Sequence, residues 1–274
     1  MPFALTDFEA EVWAWLGTQN QTAAAHLSRI DACLVVTWNV QRLAVHLVSD
    51  GTSGQAPAGE LLHVRLHCDC WQKHRDIVQS RILALLGQSK RIHGRKTRVR
   101  RIDRVTADFF LETNHLQGSV LGKVRYGLFL QDDLVAVASF SGARKCVRGG
   151  QVYRSFELLR FANKCHHTVV GGLDKLIQYF ITNHQPDDLM TYADRDWSDG
   201  RGYRKIGFVG SEITDPQYFW LEVSTQTRHY PHRLPLQIPE QYHLNGAEVA
   251  LFLNQNGFRK VWNSGNIKFL LLLK

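Results

Sequence analysis

Thr191-Tyr192-Ala193-Asp194-Arg195-Asp196-Trp197-Ser198-Asp199-Gly200-Arg201-Gly202-Tyr203-Arg204-Lys205-Ile206-Gly207-Phe208 is the stretch on which the reading of this chain turns. It reads as a strand end, a polar loop with two glycines, and a short helix start closed by Gly-Phe. Polar residues gathered where a strand stops mark a site, because loops on a rigid scaffold carry function. Working upstream, Leu173 to Phe180 is an apolar run at helical spacing, and Gly172 to Asn183 reads as one helix. Before it stands Asn163-Lys164-Cys165-His166-His167-Thr168-Val169-Val170-Gly171-Gly172, and before that a strand from Val152 to Phe161. Strand, glycine-ended loop, helix, strand and polar loop together predict an α/β (α+β) protein.

Further out, Lys123 to Leu130 and Leu134 to Phe140 read as a hairpin around Gln131-Asp132-Asp133. Thr106 is the expected N-cap of a helix through Asn114. Phe8 to Leu16 and Gln72 to Leu86 have helical periodicity, the second closed by Gly87. Ile30 to Trp38, Leu43 to Val48 and Leu61 to Leu66 read as strands, and Asp50 to Gly59 as a surface loop. Tyr218 to Val223 is a later strand, Glu248 to Asn256 a helix, and Gly257 to Phe269 a C-terminal hairpin.

The chain has 274 residues, 44% of them hydrophobic, which supports one large or two modest domains. No apolar run approaches the ~20 residues of a membrane span. The start carries acids and no basic segment, so no signal peptide is expected. Five cysteines in irregular spacing point away from a disulfide framework and towards the cytoplasm. Neither Cys165-His166-His167 nor His67-Cys68-Asp69-Cys70 has a zinc-finger spacing, so no metal is expected.

Net charge is +8. Excess positive charge favours a polyanion, most often nucleic acid. From Lys90 to Arg104 there are eight basic residues. Arg98, Arg100 and Arg104 fall on even positions and would share one face of a strand. Arg91, Arg95, Lys96, Arg98, Arg100 and Arg101 are therefore the expected phosphate contacts, with DNA as the partner. Trp197 and Tyr203 are the expected aromatic partners of a displaced base.

Residues from about 105 to 208 resemble the GNAT-like domain of Mom-type bacteriophage DNA-modification proteins. The resemblance is carried by Phe110-Leu111-Glu112-Thr113-Asn114-His115-Leu116-Gln117-Gly118, by Glu157-Leu158-Leu159-Arg160-Phe161, by Val169-Val170-Gly171-Gly172, and by Tyr192-Ala193-Asp194-Arg195 with Gly200, Tyr203, Gly207 and Phe208. It implies a GNAT-like mixed sheet with flanking helices and an acyl or aminoacyl transferase that modifies a DNA base, with an acyl or aminoacyl donor as partner. It also implies acyl-CoA, such as acetyl-CoA, as donor, held by Thr168, Val170, Gly171 and Gly172. The residues matching the family's active positions are His115, Asp194 and Tyr203. Acyl transfer needs a base for the attacking amine, which His or Asp supplies, and an acid for the leaving thiolate, which Tyr supplies. Each residue also has a plain structural reading: Asp194 in a turn, Tyr203 in the core, His115 at a helix end. The loop ahead of Gly171 is longer and more polar than the family's usual glycine-dense phosphate loop.

The N-terminal part resembles short-patch-repair nucleases of the PD-(D/E)XK class, with a smaller restriction-endonuclease-like α/β domain implied. Glu9 and Glu11, Arg29-Ile30-Asp31, Leu43-Ala44-Val45-His46 and Cys70-Trp71 carry that likeness. Asp31 matches the first metal-binding carboxylate, whereas His46 stands where the second is expected. A histidine is a poor substitute in a hard-oxygen magnesium site, so the domain reads as a degenerate nuclease. Two domains are thus expected, 1–100 and 101–274. The competing readings are a nuclease centred on Asp31 and a DNA-binding protein without chemistry.

Overall fold

A computed structural model describes residues 4–49, 59–235 and 246–274. In chain order these form α1 (Asp7–Thr18), β1 (His26–Ile30), β2 (Cys33–Trp38), β3 (Leu43–Val48), β4 (Leu62–His67), α2 (Cys68–Lys73), α3 (Arg75–Leu85), β5 (Lys90–His93), β6 (Arg98–Arg101) and α4 (Arg104–Asn114). There follow β7 (Val124–Leu130), β8 (Asp133–Phe140), β9 (Arg144–Arg148), β10 (Gln151–Asn163), β11 (His167–Val170), α5 (Gly172–His184), β12 (Asp188–Asp194) and α6 (Arg201–Lys205). The chain ends with β13 (Val209–Ile213), β14 (Tyr218–Glu222), β15 (Thr227–His229), α7 (Gly246–Gln255), β16 (Phe258–Trp262) and β17 (Asn266–Leu272). The class is mixed α/β, with several sheets and flanking helices. Among the described residues, no helix is long and apolar enough to cross a membrane.

The chain packs as two compact units, each assembled from separated segments. The first comprises residues 1–73, 194–199 and 214–266, and the second 74–193, 200–213 and 267–274. This division differs from the single cut at 100/101 read from sequence, because strand pairing between distant segments leaves no local trace.

In the first unit, β1, β2, β3 and β4 lie in that order, antiparallel except for the parallel β3–β4 pair. Helix α1 starts with a capping box: the Thr6 hydroxyl accepts from the Glu9 amide and the Glu9 carboxylate from the Thr6 amide. It buries Phe8, Val12 and Leu16, each contributing about 1.5–3 kcal/mol when fully buried. A smaller sheet runs β15–β14–β16, and Trp220, Leu253 and Phe258 form its core.

The second unit is built on an eight-stranded sheet in the order β13-β17-β12-β10-β8-β7-β6, with β9 paired to β10. Its antiparallel half ends in the basic edge strand β6. The step from antiparallel to parallel comes at β10, which pairs antiparallel with β8 and parallel with β12. Helix α5 is the crossover between β10 and β12 and buries Leu176, Ile177 and Phe180. The Phe180 ring stacks on Phe140 at 4.0 Å and meets Phe156 edge-on at 5.2 Å.

Five local expectations are corrected. Ile30 to Trp38 is two strands, because Asp31 adopts a left-handed turn (φ 51°) between them. Gln72 to Leu86 is two helices meeting at His74. Helix α4 is capped by Asp103, not Thr106; the Asp103 carboxylate accepts from the Thr106 amide at 2.7 Å. Arg104 is therefore the first residue of a helix and shares no strand face with Arg98 and Arg100. The C-terminal hairpin is absent: β16 pairs with β14, whereas β17 lies between β13 and β12. Within the expected surface loop at Asp50 to Gly59, residues 50–58 lie outside the described residues.

Candidate active site

The second unit opens where two of its central strands part. β10 and β12 are paired only from Ser155↔Asp188 to Leu158↔Thr191. There a bulge at Leu159 shifts the β10–β8 register by one residue. A bulge twists and bends its strand. Beyond it β10 follows β8 to Asn163, and β12 continues without it to Asp194. Two diverging strands open a gap in the sheet, and such gaps at the switch points of α/β sheets are where ligands are taken up. The Thr191 hydroxyl donates to the Leu158 carbonyl at 2.9 Å and pins the fork.

Tyr203 stands at this fork. Its hydroxyl hydrogen-bonds the Thr191 side chain, and its ring packs on Phe208 at 5.7 Å and Phe269 at 5.5 Å. Gly200 (φ 78°) makes this possible: a Cβ there would lie 2.1 Å from the Phe269 ring. Burial pushes the phenol above its ordinary range, while the Thr191 hydrogen bond and the Arg81 guanidinium pull the other way. Arg81, on α3, also acts on His115, and so does Arg160 on β10. His115 is the C-cap of α4 and accepts the Gln117 amide at Nδ1 (3.1 Å). Burial, Arg160 and Arg81 lower its pKa to about 3. It is a neutral imidazole at ordinary pH, and an imidazolium there would face two guanidiniums.

Arg81 thus links Tyr203 and His115 electrostatically, in the second unit. Arg81, Arg160 and Thr191 were not among the residues expected from sequence. Arg160 stood inside a quoted motif, but Arg81 lay on an ordinary amphipathic helix with no signal.

The glycine-ended segment is not an open loop. His167–Val170 forms β11, parallel to β5 with His167↔Lys90 and Val170↔His93. Thr168 Oγ1 lies 2.6 Å from Ser89 Oγ. Val170 and Gly171 sit against Gly94, where a Cβ would meet the Val170 carbonyl oxygen at 2.9 Å. Gly171 (φ 73°) is the N-cap of α5 and Gly172 its first residue. Lys175, in the first turn, donates to the carbonyls of Gly94 and Thr97. The first-turn amides of α5 carry the helix's positive end, and Arg95 and Lys96 are exposed in the 3₁₀ turn between β5 and β6.

The basic segment is consequently bent. Arg91 lies in β5, and Arg98, Arg100 and Arg101 lie exposed on the edge strand β6. Arg100 sits over the Phe129 ring at 4.7 Å and 3.4 Å from Asp132. Trp197 is only 5% exposed. It offers no free face for a base, which corrects the expectation that it stacks on one. Its loop is drawn inward by the polar network described next.

In the first unit, the loop 194–199 is anchored by a buried cluster. Asp196, 3% exposed, accepts from the Ser264 amide at 3.0 Å and the Ser264 hydroxyl at 2.6 Å. Arg65 Nε lies 3.8 Å and His67 Nε2 3.5 Å from its carboxylate. The Arg65 amide donates to the Asp196 carbonyl at 2.8 Å, and Arg195 donates to the carbonyls of Gly265 and Ser264. Asp194, which opens the loop, accepts the Asp196 amide at 3.0 Å. A second pair, Asp69 and Arg228, forms two hydrogen bonds of 2.6 and 2.8 Å.

Asp31 occupies the β1–β2 turn, and His46 is buried on β3 with Nε2 2.9 Å from Nδ1 of His63. Among the described residues, no group of three or more His, Cys, Asp or Glu converges to hold a metal ion. Burial, His63 and Arg65 lower the pKa of His46 to about 4. Its folded pKa is below the ordinary 6.5, so the unfolded chain binds the proton first as pH falls. Stability should therefore decline between about pH 6.5 and pH 4. Urea unfolding across that window checks it: His46→Gln should flatten the acid slope.

No family model matches this chain, and no curated protein matches it. Among solved structures, it is similar to a GNAT family acetyltransferase from Elizabethkingia anophelis with acetyl-CoA bound, at TM-score 0.37 and 13% identity over 65% of this chain and 99% of that one. It is also similar to a Bacillus subtilis acetyltransferase in complex with CoA (TM-score 0.34, 13% identity, 65% and 100% coverage). A spermidine N-acetyltransferase chimera from Vibrio cholerae and hSSAT gives TM-score 0.37 and 11% identity over 65% and 95%.

Proposed function

We propose that the protein is a GNAT-like acyltransferase that takes the acyl group from acyl-CoA and places it on an amine of DNA. The observation that carries this reading is the fork between β10 and β12, opened by the Leu159 bulge and floored by the Tyr203 hydroxyl. A thioester laid along the parted strands would bring its carbonyl to the β10 side of the fork. The amine nitrogen attacks that carbonyl carbon, the C–S bond breaks, and the thiolate leaves with a proton from Tyr203. The amine's own proton passes to water. His115 stays neutral and serves as a hydrogen-bonding group rather than a strong base.

The donor's phosphates would meet the α5 N-terminus at Gly171 and Gly172, with Arg95 and Lys96 beside it. The strand pairing of β11 with β5 narrows that contact to the helix's first turn, a departure from an open phosphate loop.

DNA as acceptor is supported by the net charge of +8 and by the exposed cations from residue 90 to 104. The direct experiment is mass spectrometry of nucleosides from DNA incubated with the protein and acetyl-CoA. A mass gain of one acyl group supports the reading, and unmodified nucleosides with intact donor refute it. Replacing Arg95, Arg98 and Arg100 by glutamine should weaken duplex binding. It should also flatten the slope of log affinity against log salt by about 0.9 per lost phosphate contact. An unchanged slope in filter binding would show these cations to be merely solvated.

A further inference from the structure

We propose that the outer face of α4, together with the edge strand β6, binds a DNA single strand, and that the Phe109 ring stacks on one of its bases. The proposal rests on the reading that DNA is the acceptor, and it adds the state of the DNA and the ring that grips it.

The sheet ends at β6, where Arg98, Arg100 and Arg101 are exposed. Only Ile102 and Asp103 separate this strand from α4. Asp103 is the one acid between Lys90 and Arg104, and its carboxylate is occupied in capping the helix. Within its own segment the edge therefore keeps its charge, while Arg100 pairs with Asp132 at 3.4 Å and Arg104 with Asp108 at 3.0 Å.

Helix α4 turns Ala107, Phe110 and Leu111 inward against Val137 and Ala162, with Ile102 and Leu134 packed on the same cluster. Its core contact is complete without Phe109. Yet Phe109 is 74% exposed, and Val105, four residues before it, is 79% exposed. Residues four apart share a helix face. Phe109 lies about 7.5 Å along the axis from Arg104, at 1.5 Å per residue. A basic edge strand that leads within three residues into a helix with an exposed ring suits a single strand: the phosphates follow the charge and an unstacked base lies on the ring. In a duplex the bases are stacked on one another and present no face to the ring. A second copy docked through this face would set two basic edges together, which like-charge repulsion disfavours.

The test is fluorescence anisotropy with a labelled oligothymidylate and a duplex of equal length, at several salt concentrations. It compares wild type, Phe109→Ala, Phe109→Trp and the triple variant Arg98→Gln/Arg100→Gln/Arg101→Gln, with sedimentation velocity of each free protein. Phe109→Ala should weaken single-strand binding about 5- to 150-fold, leave duplex binding and the salt slope unchanged, and be rescued by tryptophan. The triple variant should flatten the slope by about 0.7 per lost contact. Equal single-strand affinity of wild type and Phe109→Ala, with loss in the triple variant, overturns the role of the ring and leaves the acceptor reading standing. No binding of either DNA by wild type overturns both. A dimer of the free protein that Phe109→Ala dissolves overturns the proposal in favour of a second copy. Phe109 is exposed, so its variants should keep the wild-type circular dichroism spectrum.

Discussion

Tyr203→Phe is expected to slow acyl transfer by about 10²–10⁴-fold, the usual effect of removing a positioned general acid. The ring keeps its packing on Phe208 and Phe269, so the fold and DNA affinity should remain. What disappears is the hydroxyl that Thr191 holds at the fork. Because burial raises the phenol above its ordinary value near 10, the proton is present throughout the neutral range. The acid form is active and is lost only as pH rises through the folded pKa, so the alkaline limb of the rate profile should lie above about pH 10. Single-turnover measurement of acyl transfer to DNA separates this step from binding. A Tyr203→Phe protein that stays folded and transfers at the wild-type rate would remove Tyr203 from the mechanism.

Asp196→Ala is expected to destabilise the first unit by about 3–5 kcal/mol, because it leaves a buried guanidinium and imidazole without their carboxylate. Arg65, His67 and Ser264 all converge on that one side chain. Burial pushes the Asp196 carboxyl up, but His67 close by, the hydrogen bonds from Ser264 and the charge of Arg65 outweigh it, and its pKa is lowered. A lowered folded pKa contributes stability that is present above the unfolded value near 3.9 and is lost as pH falls through the folded one. Acid unfolding of wild type should show this loss below about pH 4, and the alanine variant should lack it. Urea unfolding followed by tryptophan fluorescence is a direct readout, since Trp197 adjoins Asp196 in the chain. A change under about 1 kcal/mol would show that the cluster's charges compensate without Asp196.

Much of the second unit was legible in sequence because its signals are local. The Lys123–Phe140 hairpin, the α5 stripe of Leu176, Ile177 and Phe180, and the strand before Asp194 each express a period that neighbours in sequence enforce. The glycines at 171 and 200 were visible as positions where the chain must turn, and both have positive φ. Composition set the polyanion expectation, which net charge alone can raise.

Tertiary structure decided everything that depends on which strands meet. Gly257 to Phe269 reads as a hairpin by local rules, yet β16 and β17 belong to separate sheets, because their partners come from strands distant in sequence. Trp197 read as a free aromatic in a polar loop, yet Arg65, His67, Ser264 and Arg195 fix that loop and the ring is buried. Arg81 gave no sign of a role until the fold brought its charge to bear on both Tyr203 and His115. Periodicity records how a residue relates to neighbours three or four positions away. Desolvation, charge pairing and strand register are set by residues tens to hundreds of positions away, and these fix the state of the candidate site.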